Sequence, residues 1–367
     1  MDKKIKVLHT EWSDGWGGQE IRILNEMRGL REVNVELFLA CTENSSIKIE
    51  AEKNYFVVFI LPFKGIFDLV TFFKLVYIIL RYKIDIVNTH SGKDTWVGGL
   101  AAIITGRKFI RTRHLSNKIS SRKTNFINQL AHHVITTGSS VRESMILHNR
   151  IKPERISSIP SGPDPYIFDP LSIERDNARR EYSINRQTIV IGILAVIRKF
   201  KRHDRFIKMA RVIVDSNPQL DIKFLIAGDG PIKGEVRKKI KSLNLDKKIQ
   251  MIGHIDEPQN FLGLIDIFVL TSDSGEGVPQ SIMQAMLMNV PVVATNAGST
   301  FDLNSENSIS IVNKDSLEEI ITGVQNTITN LYNKKKNCNS RKFIMENFSK
   351  EIMVEKILKI YKNLLEQ

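Results

Sequence analysis

The stretch from Ile267 to Asp302, IFVLTSDSGEGVPQSIMQAMLMNVPVVATNAGSTFD, admits few folds. Ile267 to Thr271 is a short apolar run of the kind that forms a buried parallel strand. Ser272 to Pro279 carries turn residues, with Gly275 and Gly277 bracketing Glu276. Pro279 suits the first turn of a helix, where its missing N–H costs nothing. Gln280 to Met288 has helix-forming composition, and Pro291 to Thr295 reads as a second buried strand. The loop therefore lies at the carboxyl end of a strand, where open α/β sheets bind ligands. Free N–H groups at the start of the helix would attract a phosphate. Glu276 and Gln284 stand roughly two helical turns apart in sequence, so both can face one ligand.

The same alternation runs through the rest of the chain. Lys4 to Thr10 reads as an opening strand, and Glu11 to Glu20 as a glycine-rich loop entering a helix. Gly15, Gly17 and Gly18 lack the third glycine that a dinucleotide loop requires. Strands at Asp85 to His90 and Lys108 to Arg113 end on His90 and His114, at positions where α/β enzymes place chemistry. Ser161-Gly162-Pro163-Asp164 is a turn near the close of the first half. The second half opens with the strand Thr188 to Val196, followed by Arg198, Lys199, Lys201 and Arg202. Cations crowded at a helix start repel one another and oppose the macrodipole, so the turn points to a bound anion. Ile352, Val354, Ile357, Ile360 and Leu364 give the last helix an apolar stripe to dock. The expected domains are 1–168 and 186–347, with a linker at 169–185 and the helix of 348–367 packing back on the first domain.

A chain of 367 residues is long enough for two domains, and 42% hydrophobic with 25% charged residues is ordinary for a globular protein. Cys41 and Cys338 form no metal-ligand spacing and fit a reducing compartment. No leader is apparent at MDKKIKVLHT. Tyr55 to Tyr82, the most apolar region, is interrupted by Pro62, Lys64, Asp68 and Lys74. It reads as a strand and an amphipathic helix packed on the core, with aromatics that would otherwise graze a membrane, and not as a span of about 20 apolar residues. The net charge of +13 is uneven, with nine Lys/Arg against one Glu in residues 101–150 and no Lys or Arg in 251–300. Arg111, Arg113, Lys118, Arg122 and Lys123 are candidates for contact with an acceptor phosphate or an anionic membrane. The expected location is the cytoplasm, peripheral on the inner face of the membrane.

Glu276 with Gly277-Val278-Pro279, and the close Pro291-Val292-Val293-Ala294-Thr295, resemble the signature of the family 4 retaining glycosyltransferases. The family's second Glu is replaced here by Gln284, which keeps an acceptor oxygen and loses the charge. The resemblance implies an α/β chain of two Rossmann-like domains facing across a cleft, the GT-B fold. It implies that Glu276 contacts the donor sugar and Gln284 the ribose, with Gly277, Val278 and Pro279 beside them. Gly17 and Gly18 would reach toward the donor diphosphate, and Arg198 and Lys201 would grip it. Arg202 stands where the family usually has glycine. His114 would point at the donor sugar, and the backbone of Gly253, His254 and Ile255 would pair with the nucleobase.

The implied reaction is transfer of a sugar, with retention, from a nucleotide-sugar to a glycan or lipid-linked glycan acceptor in lipopolysaccharide, capsule or other surface polysaccharide synthesis. No cofactor beyond the donor is called for and no metal, since Asp273 stands without a DxD partner. A GT-B-fold sugar-nucleotide epimerase is the alternative reading. A nucleic-acid-binding protein is prompted by charge alone, and no nucleic-acid motif supports it.

Overall fold

A computed structural model describes residues 4–114, 126–304, 309–333 and 339–367. The chain forms two compact units, Met1–Gly162 with Lys350–Gln367, and Pro163–Ser349.

The first unit begins with β1 (Lys6–Glu11), α1 (Gly18–Glu32), β2 (Glu36–Cys41), α2 (Ser46–Lys53), β3 (Val57–Ile60) and α3 (Leu69–Arg81). It continues with β4 (Ile86–Thr89), α4 (Gly92–Ile104), β5 (Lys108–Arg113), α5 (Ile127–Leu130), β6 (His133–Thr136), α6 (Ser139–Asn149) and β7 (Ile156–Ser158). The strands form one seven-stranded sheet in the order β3-β2-β1-β4-β5-β6-β7, every pairing parallel. β4 is central, and strand order reverses between β1 and β4, the switch point at which such sheets bind ligands. Glu11 closes β1, while His90 and His114 directly follow β4 and β5, so all three lie at the carboxyl edge.

The second unit comprises α7 (Arg175–Glu181), β8 (Ile189–Leu194), α8 (His203–Ser216), β9 (Ile222–Ala227), α9 (Lys233–Ser242), β10 (Ile249–Gly253) and α10 (Pro258–Leu264). It ends with β11 (Ile267–Leu270), α11 (Gln280–Leu287), β12 (Val292–Thr295), β13 (Ser310–Val312), α12 (Leu317–Tyr332) and α13 (Ser340–Asn347). Its six strands, again all parallel, run β10-β9-β8-β11-β12-β13. The strands expected at Ile267 to Thr271 and Pro291 to Thr295 are β11 and β12, neighbours joined through α11. Their side chains are buried on both faces, which is why the two runs read as unbroken apolar sequence.

α14 (Lys350–Glu366) belongs to the first unit. Met353, Val354, Ile357, Tyr361 and Leu364 are buried with α1, while Ile352 and Ile360 of the expected stripe are only half-buried. Gly29 of α1 allows the approach, since a Cβ there would stand 2.4 Å from Val354 Cγ2.

Two readings of the sequence differ from the structure. The division between units falls at Gly162, and the expected 169–185 linker lies within the second unit, its residues 175–181 forming α7. Buried Arg179 holds it there, donating to the carbonyls of Leu264 and Thr188 and pairing with Asp266 at 2.6 Å. The second difference is α3, expected to pack into the core. Thr71, Leu75, Ile78 and Ile79 do so, but Leu69, Val70, Phe73, Tyr77 and Leu80 face solvent.

Candidate functional site

In the second unit, neighbouring strands β8 and β11 each release a loop at the carboxyl edge. The 197–202 turn and the 271–279 loop are stitched together by their backbones. The Asp273 N–H donates to the Phe200 carbonyl at 2.9 Å, and the Thr271 hydroxyl to the carbonyls of Lys201 and Arg202 at 3.1 and 2.9 Å. Gly275, at φ +76°, lies against the Phe200 ring, where a Cβ would approach to 3.2 Å.

This stitching brings Lys201 to Glu276. The Lys201 ammonium meets Glu276 Oε1 at 2.5 Å, and the Ser272 hydroxyl donates to the same oxygen at 2.6 Å. Glu276 is only 6% exposed. Gly298, at φ +57°, supports the loop from beneath, since a Cβ there would stand 2.0 Å from the Glu276 carbonyl oxygen.

Arg198, at the start of the same turn as Lys201, is exposed, and among the described residues its side chain has no partner. The other cations of the turn are placed differently. Arg202 adopts the left-handed conformation, φ 50° and ψ 47°, which favours glycine. Its guanidinium is held by both carboxylate oxygens of Asp204, at 2.8 and 2.9 Å, and by Asp273 at 3.1 Å. His203 opens α8 fully buried, with neither ring nitrogen hydrogen-bonded among the described residues. Burial first, then nearby Lys201, pushes its pKa down to about 4, so the ring is neutral at the positive end of the helix.

Among the other residues singled out from sequence, Gln284 is half-buried on the second turn of α11. Gly277 is half-buried, while Val278 and Pro279 are buried, so the Gly277–Pro279 segment offers mainly backbone to a ligand. Gly253 ends β10 at φ +81°, with its carbonyl already accepting from the Gly228 N–H at 2.6 Å. His254 is exposed and stands 3.5 Å from Asp256, and Ile255 packs partly into the core. A cavity of about 630 Å³ lies behind the turn, lined by Lys199, Phe200, Arg202, Asp204, Glu235 and Asp273 among others. It excludes Arg198, Lys201 and Glu276, which stand at the open edge of the sheet.

In the first unit, Gly17 is the extended residue before α1 and Gly18 its first residue. The carboxyl edge there holds a polar cluster that the sequence reading missed. Glu11 accepts from the Ser13 N–H at 2.8 Å, from the Ser91 hydroxyl at 2.9 Å and from the Gln19 amide. Asp94 accepts from the Thr10 hydroxyl and from the N–H groups of His90 and Ser91. Burial, then the proximity of Asp94, pushes the Glu11 pKa up to about 8. The signal available in sequence was the acid closing the first strand, next to the glycine loop.

Beneath these acids His9, His90 and His114 form a chain. His9 Nδ1 lies 2.9 Å from His90 Nε2, and His90 Nδ1 lies 3.0 Å from His114 Nε2. Burial holds all three below the ordinary histidine pKa, so each ring is neutral. Each ring-to-ring bond uses one N–H, leaving the third proton at one of the chain's two ends. The inner end, His9 Nε2, is buried without a partner among the described residues.

The basic candidates of the first unit separate. Arg111 is 2% exposed, and its guanidinium donates to the carbonyls of Thr89 and Thr112 at 3.1 and 2.8 Å. It therefore braces strand ends and does not offer a surface contact, which corrects its reading from sequence. Arg113 is half-buried, its pKa pushed down to about 10 by burial and then by Arg111. Lys118, Arg122 and Lys123 lie outside the described residues. Among the described residues no three His, Cys, Asp or Glu side chains converge as a metal site.

The family model of glycosyl transferases group 1 matches residues 174–363, and that of glycosyltransferase family 4 matches residues 16–166. The chain belongs to glycosyl transferases group 1. This glycosyltransferase is 24% identical to the UDP-Gal:alpha-D-GlcNAc-diphosphoundecaprenol alpha-1,3-galactosyltransferase of Escherichia coli, over 98% of this chain and 97% of the relative. In fold it is similar to a glycosyltransferase from Rickettsia africae, with a TM-score of 0.88, 22% identity and 99% of both chains covered. It is also similar to Anabaena Alr3699/HepE, solved with UDP and glucose, with a TM-score of 0.84, 18% identity, and 98% and 99% covered. Two Rossmann-like units of seven and six strands are thus the GT-B architecture of this glycosyltransferase.

Proposed function

We propose that the protein transfers a sugar from a UDP-sugar to a hydroxyl of a lipid-linked glycan, with retention, during synthesis of a cell-surface polysaccharide. The observation that carries this reading is the assembly of Arg198, Lys201 and Glu276 at the carboxyl ends of β8 and β11. UDP is the nucleotide named for the Escherichia coli and Anabaena relatives, and a diphosphate lipid carries the acceptor in the former.

The diphosphate sits against Arg198 and Lys201, whose charges oppose the negative charge that builds as it leaves. Glu276 orients the sugar while Gln284 accepts from a ribose hydroxyl. The backbone at Gly253 to Ile255 meets the base. The acceptor attacks the face from which the diphosphate departs, and a donor phosphate oxygen takes the acceptor proton. No protein nucleophile and no metal take part. Enzyme of this kind works at the cytoplasmic face of the membrane, where its donor is made.

The test is incubation with UDP-sugars and a synthetic GlcNAc-diphosphate-lipid, with the anomeric configuration of the product read by NMR. Acceptor-dependent product with the donor's configuration, reduced about 100-fold by Arg198→Ala, is expected. Conversion of the nucleotide-sugar without acceptor would favour an epimerase instead.

A further inference from the structure

α3 is apolar on both sides. Its inner side packs through Thr71, Leu75, Ile78 and Ile79. On the outer side Phe67, Leu69, Val70, Phe73, Tyr77 and Leu80 are each 54% or more exposed. At 100° per residue the five that lie on the helix occupy an arc of about 100° opposite the buried face, with Arg81 and Lys74 on its flank. Soluble surfaces rarely leave so many large apolar side chains contiguous and uncovered.

Charge identifies the cover. Residues 64–83 contain Lys64, Lys74, Arg81 and Lys83 against Asp68 alone. Asp68 is turned to local use, accepting from the Thr71 N–H at 3.1 Å and the Lys64 N–H at 2.8 Å. A second copy of the chain would bring like charges together across a two-fold axis. An exposed stripe of aromatic and aliphatic side chains rimmed by Lys and Arg, with one acid spent on capping the helix, is the composition of helices that lie in an anionic lipid surface. With 13 residues α3 is too short to span a bilayer and suited to lying in its plane.

We propose that the outer face of α3 docks the protein on an anionic phospholipid bilayer. The topology gives docking a use. α3 leaves the carboxyl edge after β3, so Phe67, Leu69 and Val70 stand at the same edge of the sheet as Glu11, His90 and His114. Docking holds that edge against the surface from which a lipid-linked acceptor projects. This use rests on the function proposed above; the docking itself does not.

The experiment is cosedimentation of the full chain, without donor or acceptor, with vesicles of phosphatidylcholine alone or with one-third phosphatidylglycerol. The wild type is expected on the mixed vesicles, at least tenfold more weakly on phosphatidylcholine, and released as salt rises. Phe73→Ser with Tyr77→Ser should lower partitioning at least tenfold with an unchanged melting temperature. Lys238→Ala with Lys239→Ala on exposed α9 should lower it less than twofold. As a measurement independent of that variant's folding, tryptophan fluorescence of Phe73→Trp should shift to the blue on mixed vesicles. No wild-type binding, binding undiminished in the serine variant, or a concentration-dependent dimer abolished by the serine variant in place of vesicle binding would each overturn the proposal. Vesicle binding without sugar transfer would leave docking standing and remove the function; transfer to a soluble acceptor without vesicle binding would do the reverse.

Discussion

The Lys201 ammonium and the Glu276 carboxylate, 75 residues apart in sequence, meet at 2.5 Å with side chains only 15% and 8% exposed. An ion pair this buried is held mainly by the penalty of breaking it. Lys201→Ala leaves Glu276 with the Ser272 hydroxyl and little water, and should cost about 3 kcal/mol in urea unfolding. Adding Glu276→Gln removes the stranded charge and should recover part of that loss. A double variant whose loss equals the sum of the Lys201→Ala and Glu276→Gln losses would show that the two side chains are not coupled.

Arg202 separates backbone strain from ion pairing. Arg202→Ala keeps the left-handed backbone and loses the contacts to Asp204 and Asp273, a change of about 1 kcal/mol for groups partly open to solvent. Arg202→Gly loses the same contacts but relieves roughly 1 kcal/mol of strain, so it should be the more stable of the two. Chemical denaturation of both variants gives the order directly.

Gly298→Ala tests the support beneath Glu276. The new Cβ would meet the Glu276 carbonyl oxygen at 2.0 Å on a left-handed backbone, so the loop must move. The expected loss is about 2–4 kcal/mol with activity largely gone. Gly65→Ala, which places its Cβ in open space, should stay within about 0.5 kcal/mol of wild type.

Glu11 predicts a pH dependence of known sign. Its pKa, raised to about 8 by burial and by Asp94, means that the folded state holds a proton that the unfolded chain has released above pH 4.5. Stability from this group is present at low pH and is lost as pH rises through about 8. Buried His9, His90 and His114, with lowered pKa values, act oppositely and only below the unfolded-chain value of 6.5. Between pH 6.5 and 8 the Glu11 slope should therefore dominate among these groups. Glu11→Gln should flatten the fall in melting temperature over that interval.

How much was legible in the sequence follows from the range of the interactions. The Glu276 loop is local, with its strand, turn residues and helix contiguous, and its element boundaries shift by only a residue or two in the structure. The 198–202 turn stood out by its crowded cations, but the acids that meet two of them, Glu276 at Lys201 and Asp204 with Asp273 at Arg202, emerge only from the fold. The Glu11 cluster was not legible, since its partner Ser91 lies 80 residues away and only the β1–β4 pairing brings them together. Arg111 stands in β5 beside Thr112 and Arg113, a polar strand end that read as basic surface, yet the side chain is buried in the fold. α3 misled for the opposite reason. Periodicity marks apolar positions but cannot say whether protein covers them.

The central claim is that Arg198, Lys201 and Glu276 form the site of a nucleotide-sugar diphosphate. Thermal unfolding with UDP-, GDP-, ADP- and CMP-sugars, for wild type and Arg198→Ala, tests it most directly, because Arg198 is exposed and its loss should not destabilise the fold. UDP-sugars alone should stabilise the wild type, by about 2.7 kcal/mol at one hundred times the dissociation constant, and the gain should largely vanish in Arg198→Ala. Flat curves across the panel, or stabilisation that survives the substitution unchanged, would contradict the assignment.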